Sequence, residues 1–106
     1  MKRFILLAML MLLLATPALA QETITLECGQ RTVDGAEAGD HFIATCPANC
    51  DAGSIWGTDV YTDDSDICTA AAHAGITTLA EGGTFDLFYV TGISSHPASE
   101  QNGITS

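Results

Sequence analysis

The chain has 106 residues, 47% of them hydrophobic and 15% charged, and the charge is one-sided, with 13 Asp and Glu against 3 Lys and Arg. That length suits a single domain. A negative field of this size repels phosphate backbones and bare anionic membranes within a Debye length of about 8–10 Å, which excludes nucleic acid and leaves cations, neutral sugars and proteins open as partners.

In chain order, Lys2 and Arg3 precede an unbroken apolar run, Phe4 to Leu14, and Ala18, Leu19 and Ala20 follow. A basic start, a short apolar stretch and an A-x-A site predict a secretory signal peptide over residues 1–20, cleaved before Gln21. The run falls well short of the ~20 residues that span a bilayer, so no membrane span is expected. The predicted product is one domain of residues 21–106, exported to a periplasm or to the medium. Lys2 and Arg3 leave with the signal, so Arg31 alone faces the 13 carboxylates, a net of −12. At its simplest, that charge keeps a small exported domain soluble.

Residues 21–106 can bury only roughly 60–65% of their unfolded surface, which is marginal without cross-links. Cys28, Cys46, Cys50 and Cys68 all lie in this part, and an exported chain with an even count reads as a two-bridge framework. Three pairings are open from sequence. Cys28 to Cys46 and Cys50 to Cys68 are both 18 apart, and that equal spacing favours these two bridges, each stabilising by about 3 kcal/mol on a chain-entropy estimate.

"ETITLEC", from Glu22, alternates apolar and polar residues as a half-buried strand does. "GQRTVDGAEAGD" has no period and reads as a surface loop, after which "HFIATC" resumes extended character. "SIWGTDVYT" offers one bulged strand or two short ones around Gly57. Ser65 is the expected N-cap of a helix running to Ala74, with Gly75 as the left-handed stop and Ile76 packing back on the last turn. On that helix Ile67, Ala70, Ala71 and Ala74 share a small-residue face, and Asp66, Thr69 and His73 form a polar stripe. Such a helix needs bulk from its neighbours, and Ala71→Leu is expected to overpack the contact at about 1–3 kcal/mol. "TFDLFYV" predicts a strand with Phe85, Leu87 and Tyr89 on one face, and the tail "SHPASEQNGITS" reads as loop with at most a short extended end.

Several stretches together resemble the LCCL domain, an extracellular module of cochlin and related secreted proteins. They are "CPANC" (Cys46 to Cys50), "WGTDVYTDDSDICTAAAHAG" (Trp56 to Gly75), "GG" (Gly82, Gly83) and "NGI" (Asn102 to Ile104), in the family's order, with coverage from about Cys28 to Ser106. The resemblance implies an α+β fold, a single small domain with a central alanine-rich helix enclosed by β-strands and two disulfides, paired Cys28 with Cys46 and Cys50 with Cys68. Cys46 and Cys50 have three residues between them rather than the two of a redox C-x-x-C. The family usually continues with a further strand after this point, so a chain stopping at Ser106 is expected to leave one sheet edge open or filled by a partner.

For function the resemblance implies binding rather than catalysis, with lipopolysaccharide or other polysaccharide and lipid ligands proposed for the family. The leading expectation is a non-catalytic recognition module for an envelope or extracellular polysaccharide or lipid-linked glycan. The alternative is a subunit that pairs with another exported protein through an open sheet edge. Candidate contacts are His73, Trp56, Tyr61 and Asn102. Set against that, Trp56 and Tyr61 are expected by default to pack in the core, and His73 to be a hydrogen-bonded histidine near a helix end.

Ser65, His73 and a neighbouring Asp supply the side-chain types of a hydrolytic triad. Eight residues of helix would separate Ser65 from His73 by ~12 Å, so no hydrolase is expected. No cofactor is implied, and "YTDDSD" lacks the calcium-loop pattern, so it reads as a solvated, helix-capping turn.

Overall fold

The computed structural model describes residues 22–106; the expected signal peptide lies outside them. The elements are β1 (Glu22–Thr25), β2 (His41–Cys46), β3 (Gly57–Thr58), β4 (Val60–Tyr61), α1 (Ile67–His73), β5 (Gly83–Phe88), β6 (Glu100–Gln101) and β7 (Ile104–Thr105). β2 is the middle of a three-stranded sheet ordered β1-β2-β5, parallel to β1 and antiparallel to β5. β3 with β4 and β6 with β7 form two small hairpins. The expected α+β class, with one short helix among strands and two disulfides, is what the structure has.

Alternation dictates which side of the sheet is dry. Phe42, Ala44 and Cys46 of β2 are buried while His41, Ile43 and Thr45 between them are half-exposed. The buried face meets the helix in a core of Leu26, Ala44, Cys46, Ile67 and Cys68, with Ile24, Val33, Phe85 and Leu87 packed against it. All seven residues of α1 are buried. A helix of two turns is marginal by itself, and the burial of each of its residues is why it carries alanine rather than bulk.

The cap differs from expectation. Asp66, not Ser65, is the N-cap, its Oδ1 accepting from the Thr69 N–H at 3.1 Å. The Ser65 hydroxyl is taken instead by the Trp56 N–H, at 3.0 Å. The C-terminus ends as expected, with Gly75 at φ +83°, its N–H on the Ala72 carbonyl and the Ile76 N–H on the Ala71 carbonyl, the paired bonds of a left-handed helix stop. Ile76 does not pack back; it is 60% exposed.

The disulfides correct the expected pairing. They join Cys28 to Cys50 and Cys46 to Cys68, each spanning 22 residues. Cys46 occupies an inward position of β2 and so faces the helix that carries Cys68. In the β1–β2 register Thr25 lies opposite Thr45, so Leu26 is level with Cys46. Cys28 lies two residues further along, within reach of the turn that brings in Cys50.

"SIWGTDVYT" resolves into two short strands, turning at Asp59 with φ +64°. A side chain at Gly57, φ +121°, would run into the Val60 carbonyl, which restricts that position to glycine. The tail, expected as loop, folds into the β6–β7 hairpin. Asn102 and Gly103 both take positive φ, +52° and +78°, the backbone that a two-residue hairpin turn requires.

Candidate functional site

A groove of about 650 Å³ opens between α1 and β5, a volume within the range of ligand sites. One wall is the small-residue face of the helix, Ile67, Ala70, Ala71 and Ala74; the facing wall is Phe85, Leu87 and Tyr89, and Val60 and Tyr61 of β4 contribute from the side. Eight consecutive residues, Phe85 to Gly92, line it. Four of them, Phe85 to Phe88, belong to β5, where successive residues point to opposite faces, so a groove lined by all four follows the strand's edge. Its polar rim has Asp59, Asp63 and Asp86 against Arg31.

Ala71 is part of the groove wall and is only 5% exposed. A leucine at 71 would extend from this wall toward the groove.

Beside the groove, His73 joins the helix to both hairpins. It is 0% exposed. Its Nε2 lies 3.2 Å from the Ser99 carbonyl, which can only accept, so Nε2 carries the proton. In the neutral ring Nδ1 is then an acceptor, and the Tyr61 hydroxyl donates to it at 2.7 Å. The Asn102 Nδ2 donates to the His73 carbonyl at 2.8 Å, satisfying a free group at the helix end. Thr69, on the same stripe, accepts the Gly53 N–H at 2.8 Å. Burial raises the Tyr61 phenol above its ordinary value of 10.0, against a smaller opposing effect of a hydrogen bond at the Asp59 backbone.

The candidate contact residues thus fall into two kinds. His73 is wholly enclosed, and Tyr61 is half-buried with its hydroxyl on His73. Asn102 is exposed, with its amide directed at the helix. Trp56, expected by default in the core, is 45% exposed, and the Arg31 guanidinium lies 5.9 Å from its ring centroid. Its backbone is pinned at both ends, N–H to Ser65 Oγ and carbonyl to the Thr62 N–H, which fixes where the indole leaves the chain, just before the β3–β4 hairpin.

The family model of the LCCL domain matches residues 21–106. The chain belongs to the LCCL domain family. It is 39% identical over 66 residues to human cysteine-rich secretory protein LCCL domain-containing 2, covering 58% of this chain and 13% of that protein. Human vitrin is 39% identical over 67 residues, 61% of this chain and 10% of vitrin. Clotting factor C of Tachypleus tridentatus is 40% identical over 52 residues, 46% of this chain and 5% of that protein. The chain therefore spans only a small part of the length of these relatives. No solved structure matches the chain significantly.

In this LCCL domain Ser65 and His73 are not brought together, since each spends its hydrogen bonds elsewhere: Ser65 on Trp56 and Thr62, His73 on Tyr61 and Ser99. Among the described residues no three His, Cys, Asp or Glu side chains converge as a metal site, and no helix is long and apolar enough to cross a membrane. The groove is the feature sequence reasoning missed. Its signal was the alanine face itself, which is equally the mark of a closely packed contact and of an open one.

Proposed function

We propose that residues 21–106 form an exported, non-catalytic recognition module for an extracellular or envelope polysaccharide or lipid-linked glycan, with Trp56 as the contact. The observation that carries this reading is the exposed, backbone-pinned indole beside Arg31, the one lysine or arginine among the described residues. An indole offers a flat apolar face to the C–H surface of a sugar, and a guanidinium offers several fixed donors to its hydroxyls. Tyr61, His73 and Asn102 act behind it, holding the β3–β4 and β6–β7 hairpins to the helix. Membership of a family whose relatives include a protein named as secretory supports an extracellular role.

The net charge of −12 favours neutral sugars, and a phosphate-bearing glycan needs a divalent cation to bridge the repulsion. The test is co-sedimentation of the exported, oxidised protein with insoluble envelope polysaccharide, with calcium and with chelator. Retention that is lost in Trp56→Ala at unchanged melting temperature is the expected result. Protein left in the supernatant under both conditions, or equal retention of the variant, overturns the reading.

A further inference from the structure

The geometry points to a second binding surface, which adjoins the glycan contact and shares Arg31 with it: the groove along the free edge of β5 takes an extended, basic polypeptide segment of another exported protein, which pairs with β5 as a fourth strand. Among the described residues β5 has a strand neighbour on one side only. Just beyond it, the Tyr89 N–H donates to the Asp40 carbonyl at 2.9 Å and the Tyr89 carbonyl accepts from the Gly39 N–H at 2.7 Å, both on the β2 side. Alternation along an antiparallel pair turns the N–H and C=O groups of Asp86 and Phe88 the other way, toward the free edge. A row of unpaired backbone groups is a template for an added strand.

Three further observations select the occupant. The groove runs along that edge, being lined by consecutive residues from Phe85 onward, and a segment matching the six residues of β5 is about 20 Å long at the rise of a strand. Inward side chains of such a segment would meet Ala70, Ala71 and Ala74, which leave room for apolar groups at every second position. Val60, Ile76, Phe88 and Val90, four large hydrophobics that stay exposed, all line this one groove, and clustered exposure of this kind marks an interaction surface.

Charge decides between partners. Asp59, Asp63 and Asp86, the last with its Oδ1 also 2.9 Å from the His41 Nε2, outnumber Arg31 around the opening, which attracts lysine and arginine. It opposes a second copy of this chain, which would bring another Asp86 and a further −12 to the same edge.

The probe is an eight-residue peptide alternating valine and lysine, with a proline-interrupted peptide of otherwise equal composition as control, titrated into the exported protein by calorimetry and followed by amide hydrogen exchange. The alternating peptide is expected to bind with an affinity that falls as salt rises, and to slow exchange of the Asp86 and Phe88 amides. Ala71→Leu, which fills the groove, should weaken binding by about tenfold or more, equivalent to about 1.4 kcal/mol. Trp56→Ala should leave it unchanged, because Trp56 does not line the groove, so failure of the glycan reading and failure of this one are distinguishable. Lack of binding, equal binding of the proline control, or binding without protection of the two amides overturns the proposal. So does protection of those amides without peptide in a dimeric species, which assigns the edge to a second copy. Displacement of the peptide by a dodecyl-chain detergent below its micelle concentration, with Ala71→Leu blocking the detergent but not the peptide, would assign the groove to a lipid chain and equally overturn it.

Discussion

Removing the Tyr61 hydroxyl tests the reading of the helix end. His73 is wholly buried and its Nε2–H is committed to the Ser99 carbonyl, so Nδ1 needs a donor and Tyr61 supplies it at 2.7 Å. The Gln101 Nε2, at 3.5 Å, is a poor substitute. Tyr61→Phe keeps the ring and strands one buried acceptor, a cost of about 1–3 kcal/mol. In a domain of this size each kcal/mol lowers Tm by about 4–8 °C. Thermal unfolding followed by circular dichroism on oxidised protein reads it directly. His73→Leu and the double variant complete a cycle, and the double should lose less than the sum of the singles, because removing both partners leaves no stranded group. An unchanged Tm in Tyr61→Phe, or strict additivity in the cycle, would refute the network.

Non-reducing peptide mapping should recover Cys28 with Cys50 and Cys46 with Cys68, and replacing Cys46 and Cys68 together by alanine should cost about 2–5 kcal/mol in urea unfolding; recovery of Cys28 with Cys46 would overturn the fold around β2. Asp66→Ala should cost about 0.5–2 kcal/mol by the same assay through loss of the helix cap, and Ser65→Ala should leave the cap intact, its own loss confined to the bonds with the Trp56 N–H and the Thr62 hydroxyl. Burial is the main cause that raises both tyrosines, Tyr61 and Tyr89, above 10.0. The folded state then holds these protons more tightly than the unfolded chain, so their stabilisation is complete below pH 10, falls as pH climbs from there through the raised folded values, and is gone above them. Absorbance titration of the phenols, the only two in the chain, should show midpoints above 10.0, with Tm declining over the same range; ordinary midpoints in the folded protein would contradict the burial.

The sequence by itself determined the local structure. Alternation placed β1, β2 and β5, Gly75 and its neighbours stopped the helix where expected, and the alanines announced a helix enclosed by other elements. These are properties of short stretches, where side-chain period and backbone preference act over a few residues. The quoted blocks around Trp56 to Gly75 likewise marked the family, because a run that long leaves few alternatives. The tail reads as loop with at most a short extended end, although its Asn102-Gly103 pair favours a tight hairpin.

Other features depended on the tertiary structure. Four cysteines spaced 18, 4 and 18 apart are also 22 apart in the other pairing, so equal spacing carried no preference; the register of β1 on β2 and the inward face of Cys46 decided it. Ser65 and Asp66 are both good caps, and Trp56 settled the matter by taking the serine hydroxyl. An indole in an apolar stretch is usually buried, and here the short β3–β4 hairpin turns it out. The alanine face fitted a packed contact and an open groove equally well. Only the position of β5, fixed by its pairing with β2 many residues away, set a groove beside the helix and an unpaired edge along it.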